Sequence, residues 1–156
     1  SWAGETGLQG RKRLQKVVYF LQQAGCKLNC EYTLHHFGPY SRDVAEICDE
    51  MVAAGLIEES AGSQYSYKLM PRTEEFLKQA QDEQMNLFSH LGRELLVEKN
   101  WTLELGSTIH FYYRQLGNWE QALKEACAFK KVPDEGQSAD AALSLAKRFV
   151  DQMAPC

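Results

Sequence analysis

The chain has 156 residues, of which 44% are hydrophobic and 24% are charged, and this composition is typical of globular proteins rather than disordered or membrane-spanning ones. A chain of this length can bury a core without help from a metal or a disulfide. Its 17 Lys and Arg residues against 21 Asp and Glu give a formal net charge of −4. This charge disfavours a non-specific nucleic-acid binder, because such proteins gain their affinity from a basic excess.

Cysteine spacing and hydropathy predict the compartment. The five cysteines have no framework spacing, no charged-then-apolar leader is found, and no apolar run approaches the ~18 residues of a membrane span. We therefore expect a cytoplasmic protein with reduced thiols. Residues 1–10 contain three glycines and little apolar periodicity, which predicts a loose N-terminal tail.

Residues 11–70 alternate between helical and extended patterns. The predicted elements are a helix over 11–24, a strand over 32–37 ended by a Gly38–Pro39 turn, a helix capped by Ser41 and ended at Gly55, and a hairpin of strands 56–60 and 64–69. The buried face of the second helix is predicted to hold Val44, Ile47, Cys48, Met51 and Val52. Helix, strand, helix and hairpin indicate a winged-helix-like part, although residues 26–31 are too few for its usual middle helix.

Residues 71–156 are predicted to be wholly helical. The expected helices begin at Pro71 (with a break near Gly92), at Thr102, at Trp119 after an Asn118 cap, and after a Ser138 cap. The fold class is therefore expected to be α+β and mostly α. A winged-helix-like N-terminal half would pack with a C-terminal helical bundle, and the two would form one compact unit.

Catalytic and metal-binding patterns are weak. Cys26, Cys30, His35 and His36 carry ligands that zinc accepts, but structural zinc sites use closer cysteine pairs, and only one of two adjacent histidines can face inward on a strand. Whether these four bind metal stays open, and we predict no metal and no cofactor. Cys48 lies beside an apolar stripe, which favours packing over a nucleophilic pair with His36. We expect a protein that is not an enzyme.

Nucleic-acid binding has one feature for it and one against it. The helix that would enter the major groove carries one cation, Arg42, and four acids. The basic cluster lies instead at the start of the first helix: Arg11, Lys12, Arg13 and Lys16. Four cations within six residues can bind an anionic partner, although such a cluster also occurs as a solvated helix face.

Two stretches resemble a known family. Residues 10–25, GRKRLQKVVYFLQQAG, resemble the "KLQKLLYFLQ…G" opening of YwgA-like proteins, and residues 37–41, FGPYS, resemble the "YGPYS" that follows it there. Residues 103–110, LELGSTIH, resemble the "LELxATIH" helix of the same prokaryotic group. Panacea-type antitoxins and the C-terminal, toxin-neutralising domain of DarG are related to this group. The resemblance implies binding of a partner protein, for example a toxin, and it supplies no catalytic residue.

These observations predict a non-enzymatic, cytoplasmic protein-interaction module of antitoxin or regulatory type. The alternatives are a winged-helix DNA-binding regulator and, third, a zinc-dependent enzyme. The partner-binding residues we predict are Arg11, Lys12, Arg13, Lys16, Phe37, Gly38, Pro39, Tyr40, Ser41, Arg42, His110 and Tyr113. His110 lies among apolar neighbours, where a core histidine is the competing interpretation, and Arg42 has the competing role of a local ion pair. The oligomeric state stays open.

Overall fold

A computed structural model describes residues 8–62, 65–80 and 82–151. In chain order its elements are β1 (Leu8–Gln9), α1 (Arg11–Gln23), β2 (Thr33–His35), β3 (Gly38–Tyr40), α2 (Arg42–Ala53), β4 (Ile57–Ala61), β5 (Tyr65–Leu69), α3 (Pro71–Gln79), α4 (Glu83–Val97), α5 (Asn100–Leu116), α6 (Trp119–Lys130) and α7 (Gln137–Asp151). The fold is thus α+β and mostly α, as predicted. A helix–strand–helix–hairpin part precedes a helical bundle.

The strands form two small antiparallel sheets. One has the order β1–β5–β4, with Leu8 opposite Tyr67 and Glu59 opposite Tyr67 on the other side. The other is the hairpin of β2 and β3, in which Leu34 pairs with Pro39. A proline has no N–H to donate, so it fits this short strand, which has a neighbour on one side in its sheet.

Helix α1 lies at the centre of the first hydrophobic cluster. Tyr19 and Phe20 are fully buried, and Phe20 packs on Phe149 of α7 with ring centroids 4.7 Å apart. The same cluster includes Cys48 of α2 and Tyr67 of β5. Side chains from both halves of the chain therefore share one core, so neither half buries its apolar surface by itself.

A second cluster joins α5, α6 and α7 through small side chains. It is formed by Leu105, Ile109, Ala122, Ala126, Cys127, Ala142 and Ala146. A Cβ placed on Gly106 would lie 3.1 Å from the carbonyl oxygen of Ala142. The absence of a side chain at Gly106 lets α5 and α7 approach this closely.

Local signals in the sequence identified several helix ends. The Ser41 hydroxyl accepts a hydrogen bond from the Val44 N–H, and the Asn118 side chain accepts one from the Gln121 N–H. Both caps were predicted. Gly55, with φ of 67°, follows α2 and adopts the left-handed conformation expected of a residue at that position.

The predicted strand over 32–37 and the turn after it differ from the structure. The strand spans Thr33–His35, and Gly38–Pro39 begins strand β3 instead of forming the turn, which consists of His36 and Phe37. The backbone of Gly38 can enter a strand with φ of 96° because glycine has no Cβ. The Gly38–Pro39 pair, which is typical of turns, therefore marks the start of the hairpin's second strand and not its loop.

Other boundaries also differ from prediction. Residues 8–9, assigned to the loose tail, pair with β5, while residues 1–7 lie outside the described chain. The helix that begins at Pro71 ends at Gln79, and α4 continues through Gly92, where we predicted the break. The Asp82 side chain accepts from the Met85 N–H, so a new cap starts α4.

Two side-chain assignments need correction as well. Ile47, predicted to be buried in α2, is 42% exposed, because α2 turns only its Val44 and Cys48 side toward the core. Helix α7 begins at Gln137, so Ser138 lies within its first turn rather than before it. Residues 152–156, which belong to the stretch predicted to be wholly helical, lie outside the described residues.

Within the described residues, no helix combines the length and the apolar character needed to cross a lipid bilayer.

Candidate functional site

A cavity of about 310 Å³ lies between α1, α2, β5 and the hairpin of β2 and β3. We call it the α1–β3 pocket. The residues that line it are Arg11, Lys12, Leu14, Gln15, Lys16, His35, Phe37, Gly38, Tyr40, Ala45, Cys48, Asp49 and Tyr67. Six of the twelve predicted partner-binding residues are among them, namely Arg11, Lys12, Lys16, Phe37, Gly38 and Tyr40. The structure thus brings three of the four cations of the basic cluster to the same place as Phe37, Gly38 and Tyr40.

Buried polar side chains of α1 hold the hairpin that forms one wall of the pocket. The Gln15 side chain donates to the Ser41 carbonyl oxygen and accepts from the Ser41 N–H, each at 2.9 Å. The next residue of α1, Lys16, donates from its Nζ to the Pro39 carbonyl oxygen at 3.0 Å. These bonds satisfy backbone groups of residues 39–41 that would otherwise be buried without partners.

Helices α5 and α6 fix the other side of the same hairpin. Lys130 Nζ donates to the His36 carbonyl oxygen at 2.5 Å and lies 2.6 Å from a Glu104 carboxylate oxygen. Gly38 packs so closely on α5 that an added Cβ would lie 2.9 Å from Thr108 Oγ1. The turn that carries Phe37 is therefore held from both sides and presented in a fixed position.

The rim of the pocket combines cations with aromatic rings. Lys12 Nζ lies 3.1 Å from the centroid of the Phe37 ring, which is 43% exposed. The Arg11 guanidinium lies 4.2 Å from the centroid of the Tyr65 ring and binds both Glu59 carboxylate oxygens. This contact lowers the pKa of Glu59. Glu59 therefore neutralises Arg11. The other cation at the rim, Lys12, contacts an aromatic ring and no described acid.

Lys16 is a buried cation at the inner end of the pocket. Lys16 is 4% exposed, and burial lowers its pKa to about 8, against the opposing effect of Glu104. Lys130 and Lys12 lower the pKa of Lys16 further because both carry like charge. Near neutral pH Lys16 is therefore mostly charged, and its environment penalises that charge.

Arg13, the fourth member of the basic cluster, lies away from the pocket at the end of α4. Its guanidinium donates to the carbonyl oxygens of Leu96 and Glu98, the latter at 2.8 Å, and to Asn100 Oδ1 at 2.5 Å. Carbonyls at a helix C-terminus lack partners within the helix and favour a nearby cation. The contacts of Arg13 therefore fasten α1 to the turn between α4 and α5.

Replacing Arg13 is expected to destabilise the protein more than replacing Arg11. Arg13→Met leaves half-buried carbonyls without a charged donor and should lower the free energy of unfolding by about 2 kcal/mol. Arg11→Met removes an ion pair whose arginine is 53% exposed, so the expected loss stays below about 1 kcal/mol. Urea unfolding of the two variants measures the difference. Equal losses would contradict the capping role of Arg13.

The remaining predicted residues are dispersed. Pro39 is buried in β3, Ser41 caps α2, and Arg42 is an exposed residue that forms an i,i+4 ion pair with Glu46 at 2.7 Å. Tyr113 stacks on Trp119 of α6 with ring centroids 3.6 Å apart. None of these side chains lines the α1–β3 pocket.

His110 is a core residue in the described structure. It is 2% exposed, and its Nδ1 shares a 2.9 Å hydrogen bond with the Tyr19 hydroxyl. Its Nε2 has no hydrogen-bond partner among the described residues. Burial, reinforced by the charge of Arg114, lowers its pKa to about 4.

This shift predicts a loss of stability in mild acid. The unfolded chain binds a proton at His110 near pH 6.5, whereas the folded chain resists it until about pH 4. Stability is therefore lost as pH falls through this window, with a slope of up to ~1.4 kcal/mol per pH unit. Thermal unfolding between pH 7 and pH 4 should show a shallower loss for His110→Phe than for wild type. Parallel curves would contradict the assignment.

The described cysteine and histidine side chains form no cluster suited to a metal. Cys30 is buried and Cys26 is half-buried, while His35 stacks on Tyr40 with ring centroids 4.7 Å apart. In the part of the chain that the structure describes, no three His, Cys, Asp or Glu side chains form a group that could hold a metal ion. Burial raises the pKa of the Cys48 thiol, so Cys48 is a neutral side chain of the pocket wall.

Sequence reasoning missed Gln15, Glu104, Thr108 and Lys130, although these residues position the hairpin. Glu104 and Thr108 belong to the LELGSTIH stretch, and Thr108 Oγ1 donates to the Glu104 carbonyl oxygen at 2.7 Å. Their place in that motif was the signal that could have identified them, because the motif forms the part of α5 on which Gly38 packs. Lys130 offered no such signal, because its partners are 26 and 94 residues away in the sequence.

The structure defines an α+β protein with a winged-helix-like part followed by a helical bundle, and the winged-helix-like part lines a cavity with cationic and aromatic side chains. The chain is similar to the uncharacterized protein YwgA of Bacillus subtilis (strain 168), with 28% identity over 108 residues. The match covers 66% of this chain and 64% of YwgA, so it spans less than two thirds of that relative's length. No family model matches the chain.

Proposed function

We propose that this chain is a non-enzymatic, cytoplasmic protein-interaction module of antitoxin or regulatory type, and that its partner binds at the α1–β3 pocket. The observation that carries the proposal is the exposed Phe37 ring beside Lys12, on a turn that buried contacts hold in place. Aromatic side chains at a concave site are typical of the residues that contribute most binding energy in protein interfaces.

The size and rigidity of the pocket support a protein partner. Its volume of about 310 Å³ is at the lower end for small-molecule sites and suits one or two side chains of a partner. Because Lys16 and Lys130 anchor the hairpin carbonyls, little ordering of this wall is needed on binding. On the resemblance to YwgA-like proteins, we also propose that the chain is related to Panacea-type antitoxins and DarG. A toxin would then be one kind of partner.

Winged-helix DNA recognition is the weaker proposal. Helix α2 exposes Glu46, Asp49 and Glu50, and these carboxylates would face phosphates if α2 entered a groove. Of the basic cluster, Arg11 is paired with Glu59, and Arg13 and Lys16 bind backbone carbonyls. Lys12 is then the one member of this cluster without a described acid or carbonyl partner, so the cluster has little free charge with which to release counterions from DNA.

Capture from a lysate of the source organism tests the function. The tagged wild type, a Phe37→Ala variant and a Phe76→Ala variant are compared by quantitative mass spectrometry after nuclease treatment. Phe76 is the matched control, since it is an exposed phenylalanine of α3 outside the pocket. We expect a protein that wild type and Phe76→Ala retain and that Phe37→Ala loses about tenfold, which corresponds to ~1.4 kcal/mol. Partners that are captured only when the nuclease is omitted, or equal capture by all three proteins, would contradict the proposal.

A further inference from the structure

We infer that the α1–β3 pocket accepts an acidic peptide segment, with an Asp or Glu carboxylate of the partner placed between Lys12 and Lys16. This inference rests on the proposed function and specifies the chemistry of the partner. It follows from the charges left unpaired around the pocket, the donors available there, and the apolar character of the walls.

The charges around the pocket do not balance. Glu59 neutralises Arg11, and Glu104 neutralises Lys130 at 2.6 Å. Among the described residues that line the pocket, two lysines, Lys12 and Lys16, then remain against one carboxylate, Asp49. A carboxylate from a partner would complete the neutralisation of this site, which its own side chains leave positive.

Both lysines have N–H donors that the described hydrogen bonds do not use. An ammonium group has three N–H donors, and Lys16 Nζ uses one on the Pro39 carbonyl oxygen. Lys12 Nζ lies over the Phe37 ring, and a ring face is a weaker partner than a carboxylate. Burial lowers the pKa of Lys16, and a negative charge placed beside it would oppose this effect and stabilise its protonated form.

The walls favour a side chain over a nucleic-acid phosphate. Leu14, Ala45 and the Phe37 ring line the pocket together with the buried Tyr67. Such walls suit the methylene stem of Asp or Glu and an apolar neighbour in an extended peptide. A phosphodiester chain entering the same cavity would pass Asp49 on the wall and the exposed carboxylates Glu46 and Glu50 of α2. These groups would repel every phosphate of that chain but only the acidic side chain of the peptide, so the peptide is the better occupant.

Selection from a random heptapeptide phage library tests the inference, with the full chain as bait. Enriched peptides are synthesised, and their dissociation constants are measured for wild type, Lys12→Gln, Lys16→Met and Phe37→Ala. Lys147→Gln is the matched control, because Lys147 is an exposed lysine of α7 outside the pocket. Lys12→Gln keeps the test valid if Lys16→Met unfolds, since Lys12 is exposed. Circular dichroism reports whether each variant is folded.

We expect enriched sequences with at least one Asp or Glu, and about tenfold weaker binding to Lys12→Gln and to folded Lys16→Met than to wild type or Lys147→Gln. Replacing the peptide's acid by its amide should cause a similar loss. Enriched peptides that need Phe37 but no acid would overturn the inference and leave the proposed function standing. Peptides indifferent to all pocket variants, or no enriched sequence, would overturn both. A single-stranded DNA 20-mer that competes with the peptides at equal concentration would point to phosphate recognition and also overturn the inference.

Discussion

Gly38→Ala is expected to lower the free energy of unfolding by roughly 3 kcal/mol, which combines left-handed backbone strain with a collision in a packed region. Gly38 has φ of 96°, and its added Cβ would lie 2.9 Å from Thr108 Oγ1 and 3.3 Å from the Glu104 carbonyl oxygen. Thr108 cannot yield easily, because its hydroxyl bonds that same carbonyl. Urea unfolding monitored by circular dichroism measures the change.

Gly25→Ala is the matched control for this collision. Gly25 has a similar φ of 103°, but an added Cβ there would have no atom within 4 Å. This variant should therefore lose about 1–2 kcal/mol from backbone strain alone. Equal losses in the two variants would mean that the close packing of the hairpin on α5 contributes nothing to the free energy of unfolding. That packing would then not explain the fixed position of Phe37.

Phe149→Ala is expected to have the largest effect, a loss of about 3–5 kcal/mol. Phe149 is fully buried, and its ring packs on Phe20 between α7 and α1. Its removal would open a cavity where the last helix meets the winged-helix-like part. Phe76→Ala is the control, because its ring is 66% exposed and the expected change is within about 0.5 kcal/mol.

Chemical denaturation of both phenylalanine variants gives the comparison. A loss for Phe149→Ala no larger than that for Phe76→Ala would mean that α7 does not contribute to the shared core. A transition that splits into two steps in Phe149→Ala alone would show that the two halves can unfold separately once this contact is lost.

Local patterns were sufficient for most of the fold. The 3.6-residue periodicity of 11–24 and the caps at Ser41 and Asn118 are properties of short segments, and the structure places α1, α2 and α6 accordingly. The hairpin of β2 and β3 was only half predicted. Its second strand begins with Gly38–Pro39, a pair typical of turns. It is held because Lys16 of α1 donates to the Pro39 carbonyl oxygen and because Gly38 packs closely on α5.

The candidate site was predictable to the extent that its residues lie close together in the sequence. Lys12 and Lys16 lie on one helix and Phe37 to Tyr40 in one motif, so both groups could be recognised before their meeting in the pocket was known. The different fates of Arg13 and Lys16 were not predictable. Both belong to the basic cluster, yet Arg13 binds the end of α4 more than 80 residues away, and only tertiary structure reveals that contact.

Chemical-shift mapping is the most direct test of the claim that a partner binds in the α1–β3 pocket. The protein that depends on Phe37 in the capture experiment is added to the ¹⁵N-labelled chain, and amide resonances are followed. We predict that changes centre on Lys12, Phe37, Tyr40 and Ala45, while exposed residues of α6 such as Lys124 and Glu125 stay unchanged. Changes centred on α3 around Phe76 or on α6, with the pocket amides unmoved, would contradict the claim.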